Sequence, residues 1–217
     1  MATYDVLQEE GMNFVKITLA NETVRAEAGA LCYMRGDIKL DARIPSLGQY
    51  IKAALAGESV VRPTYTGTGE VYLESSYGGF HTLTLQDEPW ILDSGAYWAS
   101  DSTVQLSVHQ VSPWLSFRAG DGFWHFQTKV FGAGKVVLTA PGPVEEMTIN
   151  HERLVADGNY VIARTPGVSY RLSRVTRSFF RNFIAGEGLT RVYEGVGKVL
   201  VCSVPYWRYA MAKQAQK

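Results

Sequence analysis

The sequence predicts an all-β protein: three copies of one short β module in a single pseudo-threefold closed domain, with short helical inserts between strands. Three observations carry that expectation. One pattern is written three times: Ala-Gly-acid, about ten residues, then Gly-x-Gly leading into an apolar run. The copies are Ala56-Gly57-Glu58 with Gly67-Thr68-Gly69, Ala119-Gly120-Asp121 with Gly132-Ala133-Gly134, and Ala185-Gly186-Glu187 with Gly195-Val196-Gly197. The landmarks also share one period: the Gly-x-Gly pairs are 65 and 63 residues apart, and Gly29, Gly95 and Gly158 are 66 and 63 apart. Finally, 21 glycines punctuate short apolar runs, a composition of many short strands rather than long helices.

The elements follow in order. Phe14-Val15-Lys16-Ile17-Thr18-Leu19 alternates, with Val15, Ile17 and Leu19 on one face, the period of a half-buried strand. Ala20-Asn21-Glu22 reads as a turn, Val24 to Glu27 as the next strand, and Leu31 to Met34 as another after Gly29. Phe14 to Gly29 aligns with Phe80 to Gly95 and, one residue shorter, with Val144 to Gly158. The period exceeds that of most solenoid repeats, which run about 20–50 residues, and leaves room for about six short strands per unit. The chain thus reads as one domain, 1–217, with repeats at about 14–66, 67–131 and 132–194. Unit one has no Gly-x-Gly strand before Phe14, whereas the third such strand ends the chain. Residues 195–204 are therefore expected to complete repeat one, with Val199 to Val204 beside Phe14 to Leu19. This closure removes exposed sheet edges and brings Cys202 toward the unit holding Cys32.

Three inserts differ between the copies. Pro45 to Gly57 is predicted to be a short helix, with a Ser46/Gln49 capping box and Leu47, Ile51, Ala54 and Leu55 on one face. Ser112 to Phe126 carries five large aromatics, Trp114, Phe117, Phe123, Trp124 and Phe126, a composition suited to a subunit interface. Arg174 to Ala185, read as a helix, sets Arg174, Arg177 and Arg181 opposite Phe179, Phe180 and Phe183. A final aromatic stretch, Tyr206-Trp207-Arg208-Tyr209, precedes the end.

The bulk numbers exclude several classes. Lys+Arg and Asp+Glu are both 21 and the pI is about 6.9, so no basic excess recruits nucleic acid. The two cysteines, Cys32 and Cys202, sit in no metal or redox motif and read as reduced thiols of a cytoplasmic protein. Neither a signal peptide nor a run of about 18 apolar residues is visible.

The repeated Ala-Gly-acid, Gly-x-Gly-Lys-Val and acid-plus-glycine signatures, from Phe14 to Val204, resemble the mitochondrial-biogenesis (altered inheritance of mitochondria) family, long filed as a domain of unknown function. Bacterial and archaeal members of that family are single domains. Its fungal founding member is an inner-membrane protein linked to mitochondrial inheritance and cristae organisation. The resemblance implies a fold of three copies of the short double-stranded β-helix seen in the tryptophan RNA-binding attenuation protein, and assembly as a homotrimer. It brings no catalytic residues.

Candidate sites are few. The Gly-x-Gly pairs lack the third glycine of a dinucleotide fingerprint and precede a strand, not a helix, so they read as tight turns or bulges. Glu27, Asp93 and Asp157 stand beside equivalent glycines and could converge on a cation; bonding to their own turns is the competing reading. His81, His109, His125 and His151 match no metal spacing, and His125 near Asp121 is no triad by sequence alone. Arg171, Arg174, Arg177, Arg181 and Arg191 are the one basic concentration, a contact for acidic lipid or phosphate or else a solvated face. No catalytic, cofactor-binding or metal residue is assigned. The residues read as a non-enzymatic assembly or scaffold protein, reaching membranes through partners. A ligand-binding protein or enzyme with a site between repeats, and an RNA-binding ring, are the competing readings.

Overall fold

The computed structural model of the chain describes residues 2–42, 62–76, 78–110, 126–140, 142–157, 160–174 and 189–202. Among these residues it is all-β, with fifteen strands and no helix. The first stretch supplies β1 (Thr3–Glu9), β2 (Met12–Ala26), β3 (Leu31–Asp41) and β4 (Thr64–Ser76). The second supplies β5 (Gly79–Gln86), β6 (Trp90–Leu92), β7 (Tyr97–Asp101), β8 (Gln105–Gln110), β9 (Phe126–Phe131) and β10 (Ala133–Ala140). The third supplies β11 (Val144–Asn150), β12 (Leu154–Asp157), β13 (Val161–Arg164), β14 (Val168–Arg174) and β15 (Leu189–Cys202). They form two antiparallel sheets. One runs β3-β4-β2-β7-β10-β5 with β1 on β2; the other runs β11-β15-β13-β6-β9-β8 with β12 and β14 also on β15.

The alternation in β2 does what the pleat requires: Val15, Ile17 and Leu19 are buried while Thr18 is exposed. They share a core with Val24, Tyr65, Val71 and Leu73. A second cluster gathers Trp90, Leu92, Val130, Val136 and Leu138 with Leu200 and Cys202, and a third holds Ile149, Val168, Tyr193 and Val199.

The pairing departs from the expected closure. Val199 lies opposite Met147 of β11, and Leu200 and Val201 opposite β13, far in register from β2. The reason is occupancy. Along Val15 to Ile17, β2 is bonded to β1 on one edge and β4 on the other, so the N-terminal hairpin fills the place expected for the C-terminal strand. Each Gly-x-Gly strand instead folds back on a strand of its own stretch, β4 on β2, β10 on β5 and β15 on β11: Ile17 faces Val71, Leu83 faces Val136 and Met147 faces Val199. The two sheets do not close into a barrel.

Neighbouring stretches are stitched by short strands: β7 pairs with β2 and β10, and β13 pairs with β6 and β15. Both carry a one-residue register shift, at Tyr97/Ala99 and at Val161/Ala163. β3 carries the same shift, at Leu31/Tyr33, but among the described residues it pairs with β4 alone.

The expected turn at Asn21 is also different. β2 runs unbroken through it, with a bulge between Ala20 and Glu22 and Asn21 at φ 60°. Asp87 and His151 stand in the matching places, both at φ 62°, and there the strand does break. Their amides donate to the carbonyls of Gly132 and Gly195, at 3.1 and 2.9 Å, whereas that of Asn21 donates to Thr68 Oγ1 at 3.0 Å. Asn, Asp and His are the side-chain types that tolerate this left-handed region best.

The Gly-x-Gly pairs mark close crossings. Gly69, at φ 150°, and Gly195, at φ 132°, lie where a Cβ would collide with the carbonyls of Arg35 and Gly167. The predicted helix at Pro45 to Gly57, all three Ala-Gly-acid copies and Tyr206 to Tyr209 lie outside the described residues. So do most of the other two inserts; their described ends, Phe126 and Arg174, are strand residues.

Candidate functional site

The side chains that bracket the inserts form the densest polar cluster in the described protein. Arg62 follows the first insert, Gln127 lies just beyond the second, and Arg191 follows the third. Arg62 Nε donates to Glu27 Oε2 at 3.2 Å, and its Nη2 donates to Thr128 Oγ1 at 3.0 Å. Its guanidinium lies 4.5 Å above the Tyr97 ring. Gln127 Nε2 donates to Asp93 Oδ1 at 2.9 Å, while Arg191 Nη1 donates to Asp93 Oδ2 at 3.2 Å. Arg164, at the end of β13, donates from Nη2 to Gln127 Oε1 at 2.9 Å. Arg164 and Arg191 lie 5.5 and 5.3 Å from the Tyr170 ring, which is tilted against Tyr193 at 5.5 Å.

Glu27 and Asp93 therefore meet arginines rather than a shared cation; the Asp157 side chain lies outside the described residues. Burial lifts Glu27 above the usual carboxylate range, with Arg62 pulling the other way. Burial works against the Arg191 charge, yet Asp93 holds the guanidinium above its ordinary value. Burial pushes the Tyr97 hydroxyl up to about 12 and raises Tyr193 as well, so both rings stay neutral. The Arg191–Asp93 pair is 6% and 12% exposed, so losing either partner strands a buried charge, costing about 3–5 kcal/mol.

The basic concentration expected near the third insert does not form one face. Arg191 is buried in this cluster, and Arg171 is exposed on β14 and donates to Glu194 Oε1 at 3.2 Å. Arg174 belongs to β14 rather than to a helix, and Arg177 and Arg181 lie outside the described residues. His151 is the left-handed turn residue, His81 and His109 are strand residues on β5 and β8, and His125 and Asp121 lie outside. Cys32 is exposed, Cys202 is buried, and both are free.

Arg62, Gln127, Arg164, Tyr170 and Tyr193 were not legible as site residues, although one signal existed. Arg62, Gln127 and Thr190 each stand five residues before a Gly-x-Gly glycine, so aligned copies show a polar residue at that position every time.

A second feature lies on the rim of β3. Phe14, Tyr33 and Tyr72 line a groove of about 370 Å³ with Met12, Cys32 and the Glu9–Glu10 turn. Tyr33 stacks on Tyr72 at 4.3 Å, yet Tyr33 is still 52% exposed.

A family model described as mitochondrial biogenesis AIM24 matches residues 4–204. The chain belongs to the AIM24 family. The fold agrees with a crystal structure of a Streptococcus pyogenes protein, 18% identical, with a TM-score of 0.72 over 100% of both chains. At that identity the likeness speaks for the fold alone. No curated protein matches the chain. AIM24 membership places the chain among proteins whose biochemical role is uncharacterised. Among the described residues no helix is long and apolar enough to cross a membrane.

Proposed function

We propose that this AIM24 protein is a non-enzymatic assembly protein, a cytoplasmic homotrimer built from a threefold internal duplication like that of the tryptophan RNA-binding attenuation protein. The observation that carries the reading is a pair of matching sheet edges, on β3 and β12, that are unpaired among the described residues. At the two internal junctions, Ser100 of β7 faces Arg25 of β2, and Arg164 of β13 faces Ile91 of β6. The equivalent positions at the third junction are Met34 of β3 and Val155 of β12. Met34 lies opposite Val71, as Ser100 lies opposite Val136. Val155 lies one residue before Ala156, as Arg25 precedes Ala26 and Ile91 precedes Leu92. Met34 is 38% exposed and Val155 50%.

Such edges invite pairing, and two different edges make a head-to-tail contact that closes into a ring. The aromatic rim of Tyr33 beside the β3 edge supplies apolar area for the same contact. The described glycines of the repeated Gly-x-Gly motifs serve close backbone crossings and turns, which supports a scaffold rather than a catalyst. Light scattering coupled to size exclusion tests this. The expected result is a trimer at micromolar concentration, reduced to monomer by Met34→Lys with the strand signal intact. A wild-type monomer overturns the reading.

A further inference from the structure

Among the described residues, two buried arginines and one carboxylate meet at the bases of the second and third inserts. Arg164 is 7% exposed and Arg191 5%, and the carboxylate they share is Asp93. Both Asp93 oxygens are already engaged, Oδ1 by Gln127 and Oδ2 by Arg191. Among the described residues the side-chain acceptor of the Arg164 guanidinium is the neutral Gln127 Oε1. A buried guanidinium stays charged and has five N–H donors to satisfy. The fold does not need this charge, because the same register position is Ser100 in β7 and Met34 in β3.

Beside Arg164 lies a pocket of about 10 Å³, walled by Asp93, Gln127, Tyr170 and Tyr193 and by apolar Ile91 and Val161. That is room for about one water-sized atom. Tyr170 braces both guanidiniums from one side, which fixes the direction of their donors.

We propose that Arg164, flanked by Arg191 and Gln127, forms a binding site for a single anionic atom: a halide, or one oxygen of a carboxylate or phosphate entering from solvent. Burial and the neighbouring Arg191 both weaken the hold of Arg164 on its charge, a penalty that a bound anion reverses. The apolar walls raise the strength of that contact relative to water. The site goes beyond the assembly reading, since it concerns the interior of one chain rather than its open edges.

Two experiments test it. Crystals soaked in bromide should show an anomalous peak within about 3.5 Å of the Arg164 guanidinium; a map without that peak overturns the halide arm. Thermal unfolding at fixed ionic strength is then followed in bromide, acetate or phosphate against a bulky sulfonate. Wild type should gain about 3 °C between 1 and 100 mM of the anion that binds, as ligand linkage requires. Arg164→Met, which imports the β3 residue, should lose that gain, and Arg164→Lys should keep part of it. A gain with bromide alone assigns a halide site, and one with acetate or phosphate alone assigns an oxyanion site. No gain in wild type, or an equal gain in Arg164→Met, overturns the proposal. If Arg164→Met does not fold, the soak and the Lys variant still decide.

Discussion

β3 and β7 share one register pattern in two settings. Each carries a one-residue register shift near its start, each pairs antiparallel with a Gly-x-Gly strand, and Leu31 and Tyr97 occupy one position in that register. Yet β7 is buried almost throughout, between β2 and β10, whereas β3 is exposed along most of its length. The residues just past the shift record the difference. Ala99 is fully buried and Ala163 of β13 nearly so, each facing a packed core cluster. The matching residue of β3 is Tyr33, half exposed. β7 and β13 thus each take a neighbour on both sides within the chain, whereas among the described residues β3 leaves one edge unpaired.

Exchanging these residues should have the largest effect. Ala99→Tyr drives a phenol ring from the sheet face into the core cluster of Val24, Ala26 and Val137, and overpacking of this kind costs about 3 kcal/mol. Tyr33→Ala removes a stacked but half-exposed ring and should cost about 1 kcal/mol in the isolated protomer. Urea unfolding of the two variants measures both; equal costs would break the comparison.

Next in size is Gly69→Ala. Its Cβ would meet the backbone of Arg35 and Gly36, which cannot swing aside, so β3 must lift from β4. At Gly134, the matching glycine beside the second stretch, the obstruction is the side chains of Thr103 and Val104, which can shift. We expect about 2 kcal/mol or more for Gly69→Ala and less for Gly134→Ala, read by the same unfolding assay.

What was legible in the sequence follows from what is local. The alternation at Val15, Ile17 and Leu19 needs one strand and its burial, so period two sufficed. Gly69 and Gly195 were legible as positions that need glycine, but as turns or bulges rather than as the close crossings inside β4 and β15 that they are, because a crossing depends on a strand distant in sequence. Partner choice was not legible: pairing β15 with β2 or with β11 buries the same valines, and the chain settles it through β1, whose alternation is weak. Asn21 suits a turn and a bulge equally well. The cluster around Arg164 spans residues 93 to 191 and draws on four strands or their ends, so no short motif could announce it.

Hydrogen exchange refines the comparison further. Amides on the open side of β3 should exchange at least about 100-fold faster than those of β7 in dilute protein, because local opening there breaks one ladder instead of two. Protection of β3 that rises with protein concentration would show another copy covering the edge. Concentration-independent protection equal to that of β7 would mean the rim is covered within the chain, and the contrast would fail.

Mild acid should produce the smallest effect and separate the two stretches by chemistry alone. His81 in β5 faces Leu138 as Val15 in β2 faces Leu73. Burial holds His81 below its ordinary value, and Glu146 offsets only part of that. Its neutral form is thus favoured in the folded protein, so in the window just below about 6.5 the unfolded chain binds the proton more tightly. Stability contributed above that value is lost as the pH falls through it toward the folded value. His81→Val, which imports the residue of the first stretch, should flatten the decline in thermal midpoint between pH 7 and pH 5 by a measurable fraction. A variant whose midpoint tracks wild type across that range would show that the histidine titrates alike in both states, and that the two stretches respond to acid as one.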